Sequence, residues 1–244
     1  MIMKKILLTL ACLSLATLML TLPAACGLGV ISKYTVNWSG YVAYAPTPFT
    51  SVSATWTVPT VTGSAPAFSA IWTGIGGWYR NSNKLIQAGT EQDALSGGNS
   101  YVAWYEVFPQ APVSVGSVNP GDSITVTISE NAGNPPSWHI TIKDGANKLA
   151  DLDVKAKTNL AAEATAEFIV ERPLLVVGHQ IAPLATFGTV TFTSCTTNNG
   201  GLNSLTSAYA VTMTSDGTST GTVLAYPSNP PVGNSFTVSW EAAS

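Results

Sequence analysis

An all-β fold built as a two-sheet antiparallel β-sandwich is predicted by three observations. Apolar and hydroxyl side chains alternate with period two in short runs, and those runs are rich in β-branched and aromatic residues. Gly, Pro and Asn turns separate the runs. Alternation of this kind marks antiparallel strands with one wet face, and frequent turns favour two packed sheets over a helix-backed one.

The first 25 residues stand outside the fold. Lys4 and Lys5 precede an apolar run from Ile6 to Leu22, and Pro23-Ala24-Ala25 supplies small residues for cleavage. This reads as a signal peptide over 1–25, so the chain is expected to be secreted. Cys26 follows as the modified cysteine of a lipoprotein would, and a membrane association is expected only if it is lipidated. Residues 34–244 are expected to form a single domain, as a monomer. Within it, Ser51 to Val58 alternates until Pro59 stops it, and Ser123 to Ile128 follows the turn Asn119-Pro120-Gly121-Asp122. Trp138 to Ile142 runs into the turn Lys143-Asp144-Gly145, and Thr189 to Thr193 and Ser235 to Trp240 repeat the pattern. Only Asn159 to Glu167 reads as briefly helical.

Composition removes several function classes. Ten Lys or Arg and 13 Asp or Glu make 9% of 244 residues, with a net charge of −3, where about 25% is usual. Nucleic acid is excluded as a partner, because ten scattered cations form no basic patch. Ser and Thr number 54, so hydroxyls rather than ions keep the surface wet. With few ionising groups to repel one another in acid, the fold is expected to survive there. Cys12 leaves with the signal, which excludes a disulfide framework, and Cys195 reads as a buried small hydrophobe. No metal and no cofactor is expected: His139 and His179 lie in no metal-binding spacing, and cysteines are too few for zinc. His139 is expected to face solvent, and no GxSxG nucleophile elbow is present.

Carboxylates remain. Asp122, Asp144, Asp151 and Asp216 are explained by turn chemistry. Others sit inside strands of apolar and aromatic residues. Glu106 shares a face with Trp104 and Phe108, Gln87 shares one with Glu91, and Glu167, Ile169 and Glu171 share another. Four strand positions span roughly 13 Å, so Glu167 and Glu171 do not belong to one catalytic centre.

These segments resemble, in wording and order, the glutamic peptidases or eqolisins, a family of secreted acid proteases. The resemblance rests on Asn37-Trp38-Ser39-Gly40-Tyr41, Ser53 to Pro59, Trp72-Thr73-Gly74-Ile75-Gly76, Leu85-Ile86-Gln87-Ala88-Gly89, Ala103-Trp104-Tyr105-Glu106 with Pro109, Ala166 to Glu171, and Ala185 to Phe192. It implies a concanavalin- or lectin-like jelly roll and polypeptide substrates. Gln87 falls on the catalytic Gln and Glu171 on the catalytic Glu, with Glu167 as the alternative. Trp72, Glu91, Trp104 and Glu106 fall on the cleft. Gly76 stands where many members have Asp, and Glu91 where Asp is usual. The implied chemistry is peptide hydrolysis: Glu171 as base and then acid, Gln87 holding the oxyanion. A carboxyl near the ordinary pKa of about 4 places the optimum in acid. The alternative reading is a lectin-like carbohydrate-binding module without catalysis, with Trp38, Trp78 or Trp138 as the sugar-stacking platform.

Overall fold

The sequence alternation resolves into two kinds of strand. The structure, a computed structural model, describes residues 29–78, 85–133, 137–155, 165–175, 180–205, 207–229 and 231–244. The signal segment, Cys26, His179 and most of the expected helical stretch lie outside them. Thr165 to Glu167, the end of that stretch, are extended rather than helical.

In chain order the strands are β1 (Gly29–Thr35), β2 (Trp38–Tyr44), β3 (Ser51–Thr57), β4 (Ala67–Gly76), β5 (Leu85–Ala94), β6 (Ser100–Val107), β7 (Val113–Ser117) and β8 (Ser123–Asn131). They continue as β9 (Ser137–Asp144), β10 (Asn147–Val154), β11 (Thr165–Glu171), β12 (Thr189–Thr197), β13 (Gly200–Gly201), β14 (Ser207–Thr214), β15 (Val223–Pro227) and β16 (Phe236–Trp240).

One layer runs β10-β9-β8-β3-β12, and the other β12-β16-β15-β14-β2-β11-β4-β5-β6-β7. β12 belongs to both. Its first half pairs with β16 and its second half with β3, and the register shifts between Thr193 and Thr196. Ser194, at φ 53°, turns the corner there, as bulges do where a strand changes sheets. β1 departs from the antiparallel expectation, running parallel to β14.

Strands β3, β8 and β9 keep one wet face, and their buried positions Val52, Ala54, Trp56, Ile124, Val126, Ile128, Trp138, Ile140 and Ile142 enter the core between the layers. Ile71, Ile75, Ile86, Phe168 and Val170 meet them from the other layer. The Trp56 indole N–H donates to Thr90 Oγ1 at 3.1 Å, tying the layers across that core. Trp138 is therefore no sugar platform: it is 1% exposed. Cys195 is buried and free, as a small hydrophobe would be. Asp151 is a strand residue of β10 rather than a turn residue. It pairs with His139 at 2.9 Å and with Lys148, while Asp153 takes the other ring nitrogen of the half-exposed His139. Asp216 keeps its turn role, accepting from the Thr218 backbone N–H.

Strands β4, β5 and β11 behave differently, being buried on both faces almost throughout. Their second face carries a smaller apolar cluster of Val42, Ala70, Trp72, Leu85, Trp104, Ile169 and Val211. Gly89 is required there, since a Cβ would meet the Ile71 carbonyl oxygen at 2.0 Å and Trp72 Cβ at 2.7 Å. Gly89→Ala is expected to cost about 1–3 kcal/mol of stability as overpacking, read as a fall in Tm. Gly97→Ala, where a Cβ meets nothing within 4 Å, should leave Tm near its starting value.

Candidate active site

The second face of the central strands can be read as three rows across the sheet, because each antiparallel pair holds residues directly opposite one another. The first row is Val42, Glu167, Gly74, Gln87 and Glu106 on β2, β11, β4, β5 and β6. The second is Gly40, Ile169, Trp72, Gly89 and Trp104. The third is Trp38, Glu171, Ala70, Glu91 and Val102. All the residues singled out in the sequence, Gln87, Glu171, Trp72, Glu91, Trp104, Glu106 and Glu167, thus lie on one face.

Hydrogen bonds join some of them and not others. Glu171 Oε2 accepts from the Trp72 indole N–H at 2.7 Å, and Oε1 from Asn37 Nδ2 at 3.2 Å. Gln87 Nε2 donates to Glu106 Oε2 at 2.5 Å. Gln87 and Glu171 lie two rows and two strands apart with Trp72 between them, and no direct hydrogen bond links them. Glu106 nonetheless acts on Glu171 through its charge.

Burial dominates the electrostatics. It pushes Glu171 up to about 7, with the indoles of Trp38 and Trp72 pulling down, the charge on Glu106 pushing up and Asn37 pulling down. Desolvation also raises Glu106, against the hydrogen bond from Gln87. It raises Glu91, and it pushes Asp93 up to about 7 with help from the Glu91 charge. Glu167 is fully buried and held well above the carboxylate range. The sequence expectation of a catalytic Glu near 4 is thereby revised, because a carboxyl taken out of water favours its neutral form. Arg172 follows Glu171 in the chain but contributes no ion pair to it, and burial lowers its own pKa.

Two participants were not assigned from sequence. Asn37 precedes β2, and the pairing of Trp38 with Glu171 brings its amide to the carboxyl. Asp93 sits two positions beyond Glu91 on the same face, a period-two signal that was readable. Beyond Trp72 the rings form a pile. Trp38 meets Trp72 edge-on at 4.9 Å, Trp78 lies 6.3 Å from Trp38, Tyr209 stacks on Trp78 at 5.3 Å, and Tyr44 on Tyr209 at 4.7 Å. Trp38 and Trp78 thus spend ring faces on neighbours, which weakens the sugar-platform reading. Trp104 Nε1 is a buried donor without an acceptor, suited to a carbonyl oxygen brought by a ligand, whereas the Trp38 indole is turned to Glu171 and helps lower its pKa. Gly76 has φ 87°, a conformation that suits glycine rather than the Asp many eqolisins carry.

Comparison with known proteins points one way. Residues 36–240 match the model of the Peptidase A4 family. Aspergillopepsin-2 of Aspergillus niger is 28% identical over 193 residues, covering 69% of this chain and 66% of its own length. Scytalidopepsin B of Scytalidium lignicola is 26% identical over 172 residues, covering 68% of this chain and 64% of its own. The chain thus spans just under two thirds of these curated relatives. A crystal structure of scytalido-glutamic peptidase with a transition state analog inhibitor superposes with a TM-score of 0.69 at 22% identity, covering 85% of this chain and 100% of that one. At that identity the likeness shows the fold.

Raised carboxyls fix the sign of the pH dependence of stability. Glu91, Asp93, Glu106, Glu167 and Glu171 all have folded values above their unfolded ones. Their contribution is complete below about pH 4 and is lost as pH rises through the folded values, two of them near 7. The exposed Asp151, Asp153 and Asp216 are lowered and act in the opposite sense, but solvent screens them. Tm is expected to be higher at pH 4 than at pH 8, with strand circular dichroism retained at pH 3. A Tm that climbs between pH 5 and pH 8 would contradict this.

Proposed function

The chain belongs to the Peptidase A4 family, and from that premise we propose that it is a glutamic-type endopeptidase acting in acid medium, with Glu171 and Gln87 as its catalytic pair. The observation that carries the proposal is the setting of Glu171. Its carboxyl is half-buried beside indoles, held by Trp72 and Asn37, and faces the same side of the sheet as the amide of Gln87. In this reading the substrate lies over Trp72, between the two groups. Ionised Glu171 takes a proton from the attacking water, a Gln87 N–H donates to the developing oxyanion, and protonated Glu171 returns its proton to the leaving amine.

A group with pKa near 7 suits both halves of that cycle in mildly acidic medium, since it is a stronger base than an ordinary carboxylate and still carries the proton the amine needs. Glu106 holds the Gln87 amide, and Trp104 walls the face. The Trp104 indole N–H, without an acceptor, is free to receive a substrate carbonyl. A secreted location, with the signal segment removed, goes with this reading.

On a denatured protein substrate, Glu171→Gln should abolish proteolysis, and Gln87→Ala should lower kcat about 10²–10³-fold if it acts as an oxyanion donor. Activity surviving in Glu171→Gln would overturn the assignment. Trp72→Phe removes the N–H that stabilises ionised Glu171. The acid limb of its rate profile should therefore move to higher pH by about one unit; a shift to lower pH would refute the sign.

A further inference from the structure

Glu167 is the one ionisable residue of the first row that the proposed chemistry does not use. It is 0% exposed, and neither carboxyl oxygen has a hydrogen-bond partner. Thr165 lies near on the same strand and lowers its pKa slightly against burial, yet its hydroxyl is itself without a partner at bonding distance. A buried carboxyl left without a partner is destabilising, so its presence calls for a role.

A second orphan lies in the same row. Gln87 donates through Nε2 toward Glu106 on β6, and its Oε1 is buried without a donor. The two polar atoms of a side-chain amide point to opposite sides. With the NH2 group turned to β6, Oε1 turns toward β4 and, beyond it, β11. The β4 residue between is Gly74, and past it stands Glu167. Two strand spacings separate the Cα atoms of Gln87 and Glu167 by about 10 Å, and each side chain extends about 5 Å. Gly74 puts no side chain in the gap, and a Cβ there would approach Gln87 Cβ at 3.1 Å and Leu85 Cδ1 at 3.2 Å. Leu85, itself buried, packs beside that gap.

We propose that Glu167 is a positioning residue for Gln87, donating its carboxyl O–H to Gln87 Oε1 through one bridging water. Glu106 and Glu167 then grip the amide from its two sides, and the remaining N–H of Nε2 is left for the substrate oxyanion. The inference rests on the reading of Gln87 as the oxyanion donor. It needs a neutral Glu167, and the surroundings supply one. On this face β2 offers only Tyr44 as a titratable group, β4 offers none, β11 itself offers Glu171, β5 offers Glu91 and Asp93, and β6 offers Glu106. No cation stands among these described residues.

The test compares Glu167→Gln and Glu167→Leu, alone and with Gln87→Ala, for kcat, KM and pH profile. Circular dichroism confirms folding. Glu167→Gln keeps a donor and cannot ionise. It should hold kcat within about threefold of the parent and extend activity to higher pH. Glu167→Leu should lower kcat about 10- to 100-fold with KM little changed, and should add little to the loss already present in Gln87→Ala. A parental kcat in Glu167→Leu, or an equal fold-loss with and without Gln87, would overturn the inference. If Glu167→Leu does not fold, the absence of any alkaline extension in Glu167→Gln overturns it. If Gln87→Ala alone leaves kcat unchanged, the reading of Gln87 fails first, and the outcome is distinguishable from failure of the positioning role alone.

Discussion

Burial of the central strands on both faces is the constraint that shapes the site. A strand of an antiparallel sandwich ordinarily gives one face to the core and one to water. Here β4, β5 and β11 lose water on the second face as well, because Trp38, Trp72, Trp104, Leu85 and Ile169 cover it. Any carboxyl on that face is desolvated. Burial pushes Glu171 to about 7 and raises Glu167 as well. The same side chains on the wet face of β8 or β9 would titrate near their ordinary values. The chemistry proposed for Glu171 is thus a consequence of packing before it is a consequence of any one hydrogen bond.

Covering a sheet with indoles while leaving room for acids requires small residues at chosen points. The rows show how that is met. Trp72 stands between Ile169 and Gly89, Glu171 stands beside Ala70, and Glu167 and Gln87 flank Gly74. Gly40 closes the second row at β2, where a Cβ would meet the Phe168 carbonyl oxygen at 2.1 Å. Each row holds a small residue among its large ones, Gly74 in the first, Gly40 and Gly89 in the second and Ala70 in the third. This lets the Trp72 indole reach diagonally to Glu171 without displacing the backbone beneath it.

Much of the fold was legible because its signal is local. Period-two alternation in Ser51 to Val58, Ser123 to Ile128 and Trp138 to Ile142 assigned strand and wet face together, and the structure keeps both. The same rule placed Glu106 with Trp104, Gln87 with Glu91, and Glu167 with Glu171. Register across strands is not local, so nothing in the sequence told that Gln87 shares a row with Glu167 rather than with Glu171. Asn37 escaped assignment for the same reason, since its partner lies 134 residues away. Trp138 was open to two readings because alternation shows that it shares a face with Ile140, but not whether that face is the core. Asp151 looked like a turn residue by composition, and pairing with His139 and Lys148 instead holds it in β10.

The shortage of charge in the chain acquires a structural meaning on this face. With 10 Lys and Arg in 244 residues, cations are scarce, and among the described residues none forms an ion pair with Glu167 or Glu171. Lys33 sits over the Tyr209 ring, at the far part of the aromatic pile. Arg172 is buried beside the chain of Glu171 without pairing to it. A guanidinium placed among these carboxyls would reverse their electrostatics, because an opposite charge within about 4–6 Å lowers a carboxyl by 1–3 units. Glu171 would then be an ordinary weak base, and Glu167 could no longer donate. With no cation beside them among the described residues, these acids stay neutral in acid medium, and their ionisation as pH rises becomes a threat to the fold. The low charge of the surface and the raised pKa values of the site therefore favour the same range of pH from opposite sides of the molecule. Outside, hydroxyls that do not ionise give acid little to act on; inside, carboxyls that resist ionisation stay compatible with burial only while protons are available.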